Sequence, residues 1–455
     1  MLGWGWTFVT PVHAVESGFV LGLSLTHDSN ISRVETNPQS DWTRALMAGL
    51  FGRVNTVDLT ARIQAQVERR HFYRRAFAED TIGFLDGAGV WTISPRQLTW
   101  TVEDTFRELR LNLTSPDIPS NLTKSNTLST GPDLTLSMSA TNSVVIGGRY
   151  GRFDIKNSNG DNRRYTGYLR GVHALSAQAK LSLNYEATSM YFEPGAQAYS
   201  KIFREDWIGR LENLSGANNT VLDLGTSRVT QYGGGSPGLQ CQVTATQSPQ
   251  PCNAAASSLK GNRLARLTFS EKLSSQSTVR LLLSDQISDT YTDLLVGVTG
   301  STVPRDPPVG LPTAATFATG DLYHSKRGEL GYTNNDGRFG YTLQAYGRRV
   351  DFLSLDNDFQ EKGGTFLWSW TISDALRLNA STIYAKRSYS FDDRQDTDRT
   401  NSVNGTYRLN GNVTVAMDVS RIERRSTVPL SSYVDDRIML VLAYSSNFTD
   451  VRPRR

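Results

Sequence analysis

The sequence predicts an all-β fold: a transmembrane antiparallel up-and-down β-barrel of about 20 strands, within a range of roughly 16 to 22. Three observations predict it. Apolar and polar residues alternate with a period of two along the chain, the connections between alternating segments are short and long by turns, and the last segment ends its alternation on an aromatic residue.

The alternation is clearest in "VDLTARIQAQVERRHFY" at Val57 to Tyr73, where even positions from Asp58 to Arg70 are polar and odd ones from Val57 to Val67 apolar. Strand side chains point alternately to opposite faces, whereas a helix would scatter these residues around its axis. "LTWTVEDTFR", "AKLSLNYEATSMY" and "NVTVAMDVSR" repeat the pattern. Eleven residues from Val57 to Val67 extend about 36 Å at roughly 3.3 Å each, which at a tilt of about 45° crosses the roughly 25 Å apolar band of an outer membrane. Leu59, Ala61, Ile63, Ala65 and Val67 are then expected to face lipid. Tyr73, Trp91, Trp100, Tyr191, Trp368 and Trp370 suit the aromatic girdles at strand ends.

Alternating segments begin near 19, 42, 57, 80, 98, 124, 144, 163, 179, 200, 220, 261, 278, 320, 338, 362, 376, 398, 413 and 436. After even-numbered segments the connections are short, as in "NT" at 55, "SPRQ" at 94, "SA" at 176 and "NGN" at 410. After odd-numbered segments they are longer and polar, up to the stretches around 232–260 and 290–319. An outer-membrane barrel shows this asymmetry, with short periplasmic turns and long extracellular loops; a soluble sandwich has no reason for it. The last segment, "DRIMLVLAYSSNF", alternates up to Tyr444 and Phe448 like the ending that barrels present to their assembly machinery.

The longest clear apolar run, "IMLVLAY" at Ile438 to Tyr444, has seven residues against the eighteen or more of a membrane-crossing helix, which leaves strands as the crossing element. Basic residues number 48 against 44 acidic ones and are spread along the chain, which excludes nucleic-acid binding as the main activity. "MLGWGWTFVTPVHAVES" has an apolar stretch and a small-x-Ala pattern at Val12-His13-Ala14, so residues 1–14 are expected to be a truncated signal peptide, with an apolar first strand as the alternative. Residues 15–448 form the barrel and 449–455 a short basic tail. Cys241 and Cys252 lie in a Gly/Pro/Ser/Gln-rich loop; in an exported chain they are expected to form a disulfide, and otherwise they are two thiols.

Catalytic chemistry finds little support. Gly234 to Gly238 fits G-x-S-x-G around Ser236 but has no helix signal after it, which the nucleophile elbow requires. "FDDRQDTDRTN" could offer Asp392, Asp393, Asp396 and Asp398 to calcium, yet it lacks the glycine and terminal glutamate of a calcium loop and carries its own arginines. His27, His71, His173 and His324 sit in no recognisable motif. No catalytic residue, metal site or cofactor is therefore expected. The face opposite the apolar one places Arg62, Gln64, Glu68, Glu103, Arg107, Arg149, Arg170, Arg266, Arg348, Arg377 and Arg408 along the lumen, with Lys180 and Glu186. The arginine excess suits anionic or hydroxyl-rich solutes, and paired charges would equally brace the wall.

The opening "LGLSLTHDSNISRVETNPQSDWTRALMAGL" resembles the start of the putative beta-barrel porin 2 family, through Asp28-Ser29-Asn30-Ile31 and Ser40-Asp41; His27 and Ser29 stand where an aromatic and a second acid are usual. The resemblance implies an outer-membrane barrel associated with exopolysaccharide and PEP-CTERM loci, with no catalytic residues to carry over. The expected function is a porin-like channel of the Gram-negative outer membrane, passing or assisting export of exopolysaccharide or other anionic or hydroxyl-rich solutes. The alternatives are a plugged barrel serving as a structural or surface-interaction platform and, further off, a rim hydrolase. Expected partners are outer-membrane lipid, the barrel-assembly machinery and polysaccharide export components.

Overall fold

In a computed structural model of the chain, the structure describes residues 14–156, 160–193, 201–232, 257–295, 318–353, 355, 357–390 and 392–446. Twenty strands follow one another: β1 (Ala14–Asp28), β2 (Asp41–Asn55), β3 (Leu59–Phe72), β4 (Asp80–Ser94), β5 (Leu98–Arg110), β6 (Leu122–Ser137), β7 (Asn142–Ile155), β8 (Asn162–Ala174), β9 (Ala179–Phe192) and β10 (Lys201–Leu214). The second half comprises β11 (Asn218–Tyr232), β12 (Ser257–Lys272), β13 (Ser277–Asp289), β14 (Leu322–Asn335), β15 (Phe339–Phe352), β16 (Phe359–Thr371), β17 (Leu376–Tyr389), β18 (Gln395–Arg408), β19 (Val413–Ser426) and β20 (Tyr433–Ser445). A five-residue helix, α1 (Thr290–Leu294), follows β13. None of the described helices is long and apolar enough to cross a membrane.

Each strand pairs antiparallel with the next, and β1 pairs with β20 from Val20↔Ser445 to Asp28↔Arg437, which closes the barrel. Closure matters because an open edge in hydrocarbon would leave a row of unpaired N–H and C=O groups. The family-like residues of the first loop clamp this seam at its loop end. Ser29 N donates to Asp436 O (3.0 Å) and Asp436 N donates to Ser29 Oγ (2.7 Å), while buried Asn30 donates through N to Asp435 Oδ1 (3.0 Å) and through Nδ2 to Val434 O (3.1 Å). Asp41 accepts from the backbone N–H of Arg74 (2.8 Å), tying the same loop to the one after β3.

The two faces separate as the period-two pattern requires. Leu59, Ile63 and Val67 of β3 lie exposed on the outer surface, with Leu21, Leu23 and Leu25 of β1 and Ile438, Leu440 and Leu442 of β20. Trp91 stands opposite Trp100 across β4 and β5, and Phe339 stacks on Trp370 at 5.7 Å. These outward aromatics lie at the turn end; Tyr73 and Tyr191 are exposed at the loop end. Expected and observed strand starts coincide at β4, β5, β9, β17 and β19; β1 differs most, because its register with β2 runs back to Ala14↔Asn55. The connections at one end have three or four residues, such as 56–58 and 95–97. Gly337 in the turn Asn335-Asp336-Gly337-Arg338 adopts φ +91, open to glycine at little cost, and Asp336 Oδ1 caps the turn by accepting from Phe339 N at 2.6 Å. The loops at the other end are longer, reaching 290–321. Residues 1–13, both cysteines, Ser236 and Phe448 lie outside the described residues; Tyr444 faces outward on β20.

Ile63 points out and its neighbour Gln64 points in, opposite Asp86 in register. Ile63→Arg should therefore cost about 2 to 4 kcal/mol near the bilayer midplane, and Gln64→Arg much less. Urea unfolding of vesicle-reconstituted protein measures both; equal losses would contradict the facing.

Candidate functional site

Inner-face side chains are buried at the loop end and become progressively exposed toward the turns. On β2, Asp41, Thr43 and Ala45 are buried, Met47 and Phe51 half-buried, and Arg53 exposed. On β17, Tyr389, Arg387 and Ala385 are buried while Asn379 and Arg377 are half-buried. The interior is thus a polar vestibule on the turn side, narrowed on the loop side by chain that folds inward.

Two segments build that septum. Residues 111–121 leave β5 and cross toward β17–β19. Leu113 packs with Tyr323, Val350, Phe359 and Tyr389, and its carbonyl accepts from Tyr389 Oη at 3.1 Å. Thr114 O accepts from Arg394 Nη2 (2.8 Å) and Arg424 Nη1 (3.0 Å). Asn121 holds the segment folded: its Nδ2 donates to the carbonyls of Asn112 (2.9 Å), Ser115 (3.3 Å) and Pro116 (3.0 Å), and its Oδ1 accepts from Asn112 N (2.9 Å).

The second segment starts with α1, whose N-cap Asp289 accepts from Thr292 N and also meets Arg164 of β8 in a buried ion pair. The Arg164 guanidinium lies 4.1 Å from the Tyr291 ring centroid, and Tyr291 Oη donates to Leu128 O on β6 (3.2 Å). Tyr291, Leu294 and Ala318 pack with Leu109, Phe153 and Ile155 of the β5 and β7 wall. Gly320 approaches Gly160 so closely that a Cβ on it would sit 2.7 Å from the Gly160 carbonyl. Ala318 N donates to Arg110 O (2.8 Å), which ties the second segment to the end of β5, where the first segment leaves the wall.

All eleven sequence-predicted lumen residues lie on strands at inner-face positions, but many meet partners instead of open water. Arg107 bonds both oxygens of Asp86 at 2.7 Å, and Arg149 forms a two-point pair with Asp133 (2.8 and 2.6 Å). Arg348 meets Glu361 at 3.3 Å, and Glu361, fully buried, also accepts from Arg387 Nε at 2.8 Å. Arg170 donates to Asn184 Oδ1 (2.6 Å), and Arg408 donates to the Asp374 carbonyl. Glu103 is fully buried beside Thr105 and Thr127, whereas Arg62 is exposed nearer the turns, with Gln64 and Glu68 half-buried. Arg266 and Arg377 belong to the half-buried part of the wall. Two-point guanidinium–carboxylate pairs match in geometry and satisfy charge that burial would otherwise penalise.

The sequence reading missed the acids that make these pairs and the second arginine layer: Arg387, Arg394 and Arg424 with Asp396 and Asp398. Arg424 bonds Asp398 at 2.6 and 3.1 Å, and Arg394 bonds Asp396 at 2.9 Å, so two carboxylates weighed for calcium serve arginines. No group of metal-ligating side chains occurs among the described residues. An acid at inner-face parity on the neighbouring strand was the available signal. The four histidines lie on the outer face near strand ends. His71 bonds Glu79 at 2.7 Å, and this bond, with one from Arg69, holds the Glu79 carboxyl below its usual range. His173 bonds Asn142 (2.8 Å), His324 meets Asp285, and His27 lies against Trp42.

This geometry is that of a closed 20-stranded antiparallel β-barrel with an apolar outer wall and a polar, charge-paired interior. Residues 368–445, from β16 to β20, match the family Putative beta-barrel porin 2. The match falls at the opposite end of the chain from the first-loop residues that carry the resemblance in sequence. No curated protein matches the chain. Among solved structures, similarity extends to the copper transporter OprC (12% identity, 95% of this chain and 80% of that one, TM-score 0.47). It also extends to OccK2 (OpdF) of Pseudomonas aeruginosa in complex with glucuronate (8%, 95% and 97%, TM-score 0.38) and to the FrpB iron transporter of Neisseria meningitidis (9%, 94% and 81%, TM-score 0.43). Likeness this distant carries no functional argument.

Glu361→Gln leaves Arg348 and Arg387 buried without their shared carboxylate and should destabilise the folded barrel by about 3 to 5 kcal/mol. Arg425→Gln, which removes an exposed pair with Glu423, should change stability by less than about 1 kcal/mol. Denaturant midpoints of the two variants check the contrast.

Proposed function

We propose that this protein is a channel of the Gram-negative outer membrane whose passage is controlled at the loop end by the inward segment 111–121. The observation that carries the proposal is how that segment is held. Tyr389, Arg394 and Arg424 grip two of its carbonyls, Leu113 supplies an apolar anchor, and Asn121 keeps it folded. A septum held chiefly by a few hydrogen bonds can be displaced without opening the barrel wall. A 20-stranded barrel encloses a lumen at least as wide as that of porins with 16 to 18 strands, so displacement would leave a broad path.

The solutes proposed are hydroxyl-rich or anionic, with secreted polysaccharide foremost. Pairing of the inner arginines with carboxylates lowers their pull on a free anion and favours the hydroxyl-rich class. Ser381 with Ser402 (2.7 Å) and Asn379 with Asn404 (3.4 Å), two cross-strand pairs of the inner face, show the hydroxyl and amide character of the wall. The family resemblance supports the polysaccharide assignment, and export components are the proposed partners.

Single-channel recording in planar bilayers tests this. Wild-type protein should conduct weakly, and Asn121→Ala should raise the mean conductance several-fold by releasing the segment. Silence from well-folded wild-type and Asn121→Ala protein alike would overturn the channel and leave the plugged platform.

A further inference from the structure

On the outer surface, one register row crosses seven strands: Leu222, Leu267, Leu283, Gly328, Gly347, Lys362 and Lys386 stand opposite one another in turn from β11 to β17. The row is apolar at its start and cationic at its end. At its centre the two glycines lie directly opposite each other, and the missing side chains open an outer-face groove of about 630 Å³. The leucines form its floor, while Lys326, Arg349 and Lys362 stand at its edge.

The charges of this edge are poorly balanced. Lys326 faces Arg349 across β14 and β15, and Lys362 faces Lys386 across β16 and β17. Like charges directly opposite destabilise a sheet. Among the described residues Lys326 pairs only with Asp285, at 3.9 Å, and Arg349 pairs with Asp351 of its own strand. Neither Lys362 nor Lys386 makes an ion pair with a described residue, and all four cations are exposed. An acyl-sized apolar groove running into four exposed cations that outnumber the two carboxylates beside them, Asp285 and Asp351, at the loop end of a membrane-facing wall, is complementary to one kind of molecule.

We propose that this face binds a phosphorylated, acylated lipid of the outer leaflet. An acyl chain lies over the Gly328–Gly347 gap against Leu222, Leu267 and Leu283, and a phosphate sits between Lys362 and Lys386 with Lys326 and Arg349 beside it. The site is independent of whether the lumen conducts.

Native mass spectrometry of the detergent-folded full chain, titrated with lipid A, tests the proposal. Wild-type protein should retain lipid A, and Lys362→Gln with Lys386→Gln should weaken retention at least about tenfold, since each basic residue near an anionic lipid surface contributes on the order of a fivefold factor. Gly347→Leu should weaken it as well by filling the groove; a Cβ there meets no atom nearer than 4.0 Å, so the barrel can accommodate the change. Dephosphorylated lipid of the same acyl composition should bind weakly, and inorganic phosphate alone should fail to compete. Arg69→Gln, on the outer face of β3, should leave retention unchanged. Equal retention by wild type and the lysine variant, equal binding of dephosphorylated lipid, competition by phosphate alone, or an equal loss in Arg69→Gln would each overturn it.

Discussion

The structure depends on one constraint: in hydrocarbon, every backbone N–H and C=O must find its partner within the protein. A chain that crosses with strands can meet it only by closing the sheet, and the seam between β1 and β20 is where the ladder becomes continuous. Asp28-Ser29-Asn30 gain their meaning there. Ser29 and Asn30 extend the seam past its last strand pair through bonds to β20 and to Asp435, so the motif acts as a clasp at the loop end.

Closure with twenty strands creates a second problem, because the enclosed space is too wide for wall side chains alone to fill. The chain solves it unevenly. On the turn side the wall is left half-exposed, whereas on the loop side 111–121, α1 and residues 318–321 fold inward and bring two apolar clusters with them. Burial there would penalise the inner arginines severely, and cross-strand carboxylates offset that cost. The pairs are thus a consequence of filling the lumen.

The outer face was legible in the sequence because lipid imposes a rule on every second residue. Leu59, Ile63 and Val67 could have only one destination once the length of the segment and the turn asymmetry were noted. Strand starts were legible to within a few residues for the same reason. The septum was not, because nothing periodic marks it: "LNLTSPDIPSN" resembles any polar loop, and its inward path depends on Tyr389, Arg394 and Arg424, which are remote in sequence. Pairing was half legible. Arg107 and Arg149 were identifiable as inward from parity, but Asp86 and Asp133 become their partners only through register, which a single strand does not reveal.

Alternation also couples the two sides of the wall. Arg348 and Arg349 are consecutive, as are Glu361 and Lys362, and Lys386 and Arg387. In each pair one residue points into the buried charge triad and the other into the outer cationic row. The backbone between them is a single rigid ladder, so a shift in register that relieved like-charge crowding outside would misalign Glu361 with its arginines inside. The buried triad therefore holds the outer cations at their spacing against their mutual repulsion. The charge-rich dipeptides of β15 to β17 are where the lumen and the membrane surface are mechanically one structure.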